Sequence, residues 1–555
     1  AALGAGRAPA RGASSGGREP KRARAMLEQS TSLHHPPPVP TSSQPAWTDE
    51  VWASNKDGTR RVFCNRSLNM MNIEAVGFDM DYTLAQYKPE TFETLAHQGT
   101  IEKLVTNLGY PEEINSLEFD WSYMVRGLTI DKQRGNLLKI DRHKYVKVAY
   151  HGFQELSRDE RLDTYHRGTN RESFDEPDYT LIDTLFSLAE AYLFSQLVEI
   201  KDKSSDPVLT GKSYAQLYKD IRAAVDLCHR DGTLKEAVAL DPGNFIHADT
   251  NLVHLLRELR LAGKKTFIVT NSLWDYTNVV MNFLIGDKVG AEKDLEWLEL
   301  FDVVITGSRK PAFFAKESTP IYEVAPESGM LLNTDNGTPL AQVGTEGVRP
   351  IFSLEEEHAS VYQGGSFPVL HSMLGVEAGS HVLYVGDHIY GDILKSKKSL
   401  GWRTMLVIPE LEHELTVQAA SPTVAAELHS LRNRRDALDD QIQRIQWLLD
   451  RHADGSRNGL SSQDIGNYEK QMGELSHARQ VVREEHRTKL KRFHEEYHPV
   501  WGSLLKTGYQ NSRFASQVER FACLYTSHVG NMRFYSPLKS YRGLRDLMPH
   551  DVDLA

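Results

Sequence analysis

Short runs of apolar, β-branched residues recur along the chain, and each stops on a polar side chain. Residues 73–79 end on Asp79, 265–270 on Thr270, 301–306 on Thr306 and 381–387 on Asp387; residues 403–408 add a fifth run. Most follow a stretch with helical periodicity, such as 252–261, whose leucines recur at three- and four-residue steps. Buried strands alternating with helices predict an α/β fold, a Rossmann-like parallel sheet covered on both faces. In such sheets the chemistry sits at the carboxyl ends of the strands. Polar residues stand there: Asp79 with Asp81, Thr270 with Asn271, and Asp387.

About 190 residues separate the first run from the second, far more than one crossover helix needs. Residues 86–244 are therefore predicted to form a large cap or accessory insertion, leaving 47–85 and 245–421 as the core. A shorter insertion at about 315–375, rich in Gly, Pro, Glu and Thr, reads as loops and hairpins. After Pro422 the texture changes. Leu428, Leu431, Leu438, Ile442, Ile445 and Leu449 follow alternating three- and four-residue steps, with Arg435 in the one gap. A polar break at 454–459 follows, then Ile465, Tyr468, Met472, Leu475 and Val482. This predicts an antiparallel helical hairpin over 422–500, serving as an oligomer contact or as an intramolecular arm. Residues 501–555 are expected to pack back on the core. Residues 1–46 are poor in large apolar side chains and read as a disordered leader. Being acid-poor and containing Arg and Ser, the leader resembles an organelle transit peptide; the alternative is that translation starts at Met26.

Composition narrows the function. The chain has 555 residues, 40% hydrophobic and 25% charged, which is ordinary globular usage. With 64 basic and 75 acidic residues the formal net charge is −11, which argues against a nucleic-acid or anionic-membrane partner. Cys64, Cys228 and Cys523 form no CxxC, so neither a disulfide framework nor a thiolate zinc site is expected, and a reducing compartment is. No apolar run approaches membrane-spanning length. The expectation is a cytoplasmic protein, with an organelle as the alternative if the leader is a targeting signal. An acidic protein that handles an anion needs a few placed cations or a metal.

The sharpest local signal is Gly77-Phe78-Asp79-Met80-Asp81-Tyr82-Thr83-Leu84. Two carboxylates two residues apart at a strand end repel each other unless a hard cation such as Mg²⁺ sits between their oxygens. One can then attack phosphorus while the other moves the leaving-group proton. Alone, the pair is as well explained by turn acids or N-caps. Three further signals accompany it in order. Thr270-Asn271-Ser272 offers hydroxyl, amide and N–H groups to phosphoryl oxygens. Arg309-Lys310-Pro311 offers a cation for developing charge. Gly386-Asp387-His388-Ile389-Tyr390-Gly391-Asp392 offers more carboxylate.

The four together resemble the motifs of the haloacid dehalogenase superfamily of phosphohydrolases. The segments 62–68, 77–85, 387–403, 408–411, 514–517 and 547–550 are similar to the cytosolic purine 5′-nucleotidase family, in wording closer to its plant and green-algal branch. The resemblance implies a phosphoric monoester hydrolase with Asp79 as nucleophile and Asp81 as general acid and base. Mg²⁺ would be held by the Asp79 side chain, the Asp81 backbone carbonyl and Asp387, with Asp392 supporting that loop. Thr270, Asn271, Ser272 and Lys310 would engage the phosphoryl group. An aspartyl-phosphate follows, open to water or to another nucleoside's hydroxyl.

For the base, Arg222, Asp226 and His229 share a helix face, with Lys235 just beyond. Arg and Asp present the donor and acceptor a 6-oxopurine needs, though the same face could be a solvated salt bridge. The family likeness of 220–226 favours recognition, and the likeness of 151–153 implies Phe153 stacked on the base. Gln154 departs from the Asn of the mammalian enzyme. Tyr390 and Lys398 fall where some family members bind a regulatory nucleotide. The resemblance also implies a homotetramer or homodimer. Two other functions fit the residues: a phosphatase of another small phosphate ester, and a non-catalytic nucleotide-binding scaffold using the helical arm.

Overall fold

The run around Gly77 folds as a strand buried on both faces, β1 (Ala75–Phe78), at the centre of the main sheet. The computed structural model describes residues 58–166, 173–286, 294–332, 360–453 and 460–543. The other apolar runs become β2 (Lys265–Val269), β3 (Val303–Thr306), β4 (Val382–Gly386) and β5 (Arg403–Val407). All five are parallel, in the spatial order β5-β4-β1-β2-β3. Chain order thus departs from β1 in both directions, through β2 and β3 on one side and β4 and β5 on the other. The carboxyl end of β1 is where an open α/β sheet places its crevice. The fold is the expected α/β class, with all four motifs at the carboxyl ends of adjacent strands.

The sheet has nine strands among the described residues. Leu524–Thr526, from the C-terminal segment, lies parallel to β5, and Phe63–Cys64 closes that edge antiparallel. Ser360–Gly364 lies parallel to β3, and Ile321–Glu323 closes the other edge antiparallel. Gly77 is required by close approach: a Cβ there would lie 2.1 Å from the Phe267 ring of β2.

Between β1 and β2 the chain builds a second sheet of five antiparallel strands, ordered Gln154–Glu155, Val146–His151, Asn136–Ile140, Thr129–Asp131, Tyr179–Leu181. Its longest accompanying helices are α1 (Pro89–Leu108), α2 (Leu188–Lys203) and α3 (Tyr214–Arg230). α3 opens on Ser213, whose side chain accepts the Gln216 N–H, and it buries Leu217, Ile221, Ala224, Val225 and Cys228. Its remaining face carries Arg222 and Asp226.

The heptad-like segments form α5 (Pro422–Ala453) and α6 (Ser462–Tyr497), following α4 (Trp274–Gly286) of the core. Lys489 pairs with Glu427 and Arg479 with Asp439, so the two run antiparallel. Leu431, Ile442, Ile445 and Val482 are buried. The leader, the polar break at 454–459 and residues 333–359 of the shorter insertion lie outside the described residues. Among the described residues no helix is long and apolar enough to cross a membrane.

Candidate active site

β1 delivers Asp79 to a cleft of about 1160 Å³ whose wall is shared by the core and the insertion. The Asp79 N–H continues the ladder to Val385 O of β4 at 2.9 Å, which fixes the carboxylate at the sheet's edge. Its Oδ1 accepts the Met80 N–H at 2.8 Å and lies 2.6 Å from Lys310 Nζ. Lys310 also reaches Asp392 Oδ1 at 2.8 Å and the Tyr384 hydroxyl at 3.2 Å. The ammonium is buried, so its charge acts with little solvent screening. Burial pushes the Asp79 carboxyl well up, and Lys310 pulls it back. The two flanking carboxylates push the Lys310 ammonium well above its ordinary value, outweighing burial.

Asp392 reaches this point through local backbone geometry. After β4, His388 Nδ1 accepts the N–H groups of Tyr390 and Gly391, and residues Ile389–Leu394 form a single π-helical turn. That turn folds Asp392 back over Gly386, where a Cβ would stand 2.6 Å from the Asp392 side chain. Near the site, the loop residues Tyr82 and Arg309 carry left-handed φ without being glycine, at 53° and 60°. Such strain persists only where surrounding contacts hold it. Tyr82 is anchored by its hydroxyl, 2.5 Å from buried Glu93, whose carboxyl burial pushes up to about 7.

The carboxylates of Asp79, Asp387 and Asp392 have oxygens within 4.8 Å of one another, all buried. Desolvation, then Asp392, pushes Asp387 up to about 7. Three buried acids with hard oxygen donors and one balancing lysine fit a divalent cation of the Mg²⁺ type. Asp81 is not in that group by its side chain. Its Oδ1 accepts the Tyr87 hydroxyl at 2.6 Å and its Oδ2 the Ser272 hydroxyl at 2.8 Å.

The residues expected at the second motif divide. Ser272 lines the cleft. Asn271 also lines it, but its Oδ1 accepts the Lys310 N–H at 2.6 Å and the Ser308 hydroxyl at 3.0 Å, so it holds the lysine loop. Thr270 departs from expectation. It is fully buried and absent from the cleft lining, and its hydroxyl accepts the Ser272 N–H at 3.1 Å. It shapes the turn from beneath: the strand ends at Val269, and the turn that its hydroxyl closes carries Ser272 to the cleft.

On the insertion's side, Arg222, Asp226, His229 and Lys235 all line the cleft. Arg222 is bracketed, with Nη1 2.8 Å from Glu190 and Nη2 2.8 Å from Asp226. Burial, then Arg222, lowers the His229 imidazole. Lys235 lies 5.5 Å from the Tyr276 ring centroid. Phe153 is a correction: it is not in the cleft. It packs edge-to-face on Tyr123 at 5.1 Å and Tyr192 at 5.4 Å, and lines a separate depression beside α2. The left-handed turn at Gly152 between Val146–His151 and Gln154–Glu155 aims it there. Among the aromatics that do line the cleft is Phe186, whose ring stands 5.7 Å from His229 and 4.6 Å from Tyr82. Of the two residues expected near a regulatory site, Tyr390 lines the cleft and accepts a hydrogen bond from Gln517 at 2.9 Å; Lys398 lies over Phe521.

Several contributors were not singled out in the sequence. Arg126, from the insertion, is buried and donates to the Asp387 carbonyl at 3.0 Å, while Glu410 takes its Nε at 2.8 Å and Nη2 at 2.6 Å. Thr184 donates to Asp387 Oδ2 at 3.3 Å, and Asp183 lies 3.2 Å from His388. Nothing in their local sequence marks these residues. Tyr384 is different: a hydroxyl inside an otherwise aliphatic buried strand needs a partner, and it finds Lys310 and the Val269 carbonyl, the latter at 2.9 Å.

Comparison with known proteins adds a family. A sequence profile described as the 5′ nucleotidase family matches residues 62–553. A 5′-nucleotidase domain-containing protein of Dictyostelium discoideum is 27% identical over 500 residues, covering 89% of this chain and 75% of that one. A crystal structure from Clostridium difficile, described as that of a candidate phosphatase, is 12% identical with a TM-score of 0.24, covering 61% of this chain and 86% of that one. At that score the superposition adds nothing to the sheet topology described above.

Proposed function

The chain belongs to the 5′ nucleotidase family and is a phosphoric monoester hydrolase, and from that premise we propose a Mg²⁺-dependent 5′-nucleotidase that prefers 6-oxopurine nucleoside monophosphates such as IMP and GMP. The observation that carries the reading is the seating of Lys310 between Asp79 and Asp392 at the floor of a cleft that Arg222, Asp226 and His229 also line.

In this reading Asp79 attacks phosphorus, and the ester P–O bond breaks as Asp81 gives its proton to the leaving 5′-oxygen. An aspartyl-phosphate results. Water then attacks phosphorus, its proton passes to Asp81, and the bond to Asp79 breaks to release phosphate. A second nucleoside's hydroxyl in place of water makes the same step a phosphotransfer. Lys310 offsets negative charge on the transferring group. Asp79, Asp387 and the Asp81 carbonyl would hold the cation, with Asp392 beside them, and it would supply further charge neutralisation. Ser272 faces the phosphoryl end. Arg222 and Asp226 read the purine edge, Phe186 and His229 flank the ring, and Lys235 borders the pocket.

Residues 47–85 and 245–421 then act as the catalytic core and 86–244 as the substrate-recognising cap. Residues 422–500 form an arm, and 501–555 complete the core sheet of a cytoplasmic homo-oligomer. A panel of nucleoside monophosphates and sugar phosphates, assayed with Mg²⁺ and again with chelator, tests the reading. Preference for IMP and GMP, abolished by chelator, supports it; equal turnover of sugar phosphates removes the nucleotide specificity. Light scattering reports the oligomer.

A further inference from the structure

Both oxygens of the Asp81 carboxylate are held by hydroxyls from separate parts of the chain, Tyr87 on Oδ1 and Ser272 on Oδ2. Tyr87 is itself immobilised. Its ring is buried, 4.4 Å from Phe92 and 5.1 Å from Tyr82 by centroid, and its backbone bridges Ile246. Its hydroxyl lies 2.8 Å from that of Tyr276, which is buried in the first turn of α4. A phenol has one hydrogen to give. Since a carboxylate only accepts, Tyr87 spends that hydrogen on Asp81 and must receive the one from Tyr276. The chain of donation therefore runs Tyr276 to Tyr87 to Asp81. The Tyr276 ring also lies under Lys235, so the residue behind the relay borders the proposed base pocket.

We propose that Tyr87, held by Tyr276, is a positioning residue for Asp81, fixing the plane in which its carboxyl delivers a proton to the leaving oxygen. The proposal rests on the reading of Asp81 as general acid and base. Each carboxylate oxygen has two lone-pair sites. The two hydroxyls occupy one on each oxygen and leave one on each for the moving proton. As the Asp79 oxygen bonds to phosphorus and the ester P–O bond breaks, that proton goes to the departing oxygen. Without Tyr87 the carboxyl keeps one anchor, Ser272, and can rotate about it.

The test is leaving-group dependence. Tyr87→Phe and Tyr276→Phe are assayed on an alkyl phosphate ester, whose leaving oxygen requires a proton, and on p-nitrophenyl phosphate, whose phenolate leaves without one. The alkyl ester is a nucleoside monophosphate, or glycerol phosphate if the wild type does not turn over nucleotides. kcat/KM is read because it ends at the first phosphoryl transfer. For Tyr87→Phe the expected loss is about 10- to 100-fold on the alkyl ester and under about threefold on p-nitrophenyl phosphate. Tyr276→Phe should show the same selectivity with a smaller loss. The ratio of the two substrates in one preparation does not depend on the fraction folded. Equal losses on both substrates, or no loss on the alkyl ester, overturn the proposal. Failure of the nucleotide reading appears separately, as absence of nucleotide turnover by the wild type.

Discussion

Arg126 donates a hydrogen bond from Nη1 to the backbone carbonyl of Asp387 at 3.0 Å, across 261 positions of sequence. The same guanidinium is forked on Glu410, so the insertion, the β4 loop and the segment after β5 meet at one buried cation. The backbone of Asp387, one of the acids that would hold a metal, is thus anchored by a residue of the insertion.

Replacing Arg126 with Lys keeps the charge but cannot reproduce the fork. Loss of such an outer contact typically costs metal affinity about 10- to 100-fold. The expected outcome is an increase of that order in the Mg²⁺ concentration for half-maximal activity, with kcat at saturating Mg²⁺ changed less. An unchanged titration curve would show that Arg126 supports the fold alone.

Lys310→Met should abolish most turnover. It removes the cation beside the transferring group, an effect of about 10²- to 10³-fold on kcat. It also leaves Asp79 and Asp392 as unpaired buried acids, with an expected destabilisation of roughly 3 kcal/mol. Denaturant melts in chelator, where no metal compensates, measure the second effect. Steady-state assays measure the first.

Phe186 and Phe153 separate recognition from packing. If Phe186 stacks on the base, Phe186→Ala should raise KM for a nucleoside monophosphate about 5-fold or more, since base stacking is worth about 1–3 kcal/mol. It should leave KM for p-nitrophenyl phosphate nearly unchanged. Phe153→Ala should lower the melting temperature through lost contacts with Tyr123 and Tyr192 and leave both KM values alone. The reverse pattern would return the base to Phe153.

Lys139 yields a pH signature away from the cleft. Its ammonium donates to the carbonyls of Trp501 and Ser503, and burial pushes its pKa down to about 8. The unfolded chain keeps the ordinary value of 10.5. Between pH 8 and 10.5 the unfolded state therefore binds more protons than the folded one, and stability rises with pH across that window. Below pH 8 both states are charged and the burial cost is present in full. The stability of the wild type relative to Lys139→Met should rise by up to about 3 kcal/mol from pH 7 to 10.5. Urea melts of both proteins across that range check it.

The four strand-end motifs were legible because backbone alternation and short-range spacing govern them. A buried strand that stops on Asp79 or Asp387 places those carboxylates at the sheet's edge whatever the rest of the chain does. The helix face carrying Arg222, Asp226 and His229 was legible for the same reason, since 3.6-residue periodicity is local. The arm was too, through its three- and four-residue steps. The rest depends on contacts between distant segments, which no local pattern encodes. Phe153 and Phe186 are both aromatics of the insertion, and only the direction of the turn at Gly152 and the packing beside α2 send one away while the other enters the cleft. Thr270 and Ser272 differ by two positions, yet one braces the turn and the other faces Asp81. Arg126, Tyr87 and Tyr276 carry no sequence mark at all. They matter because a buried charge or hydroxyl must find a partner, and the partner is chosen by tertiary packing: the Asp387 carbonyl for Arg126, and Asp81, through Tyr87, for Tyr276.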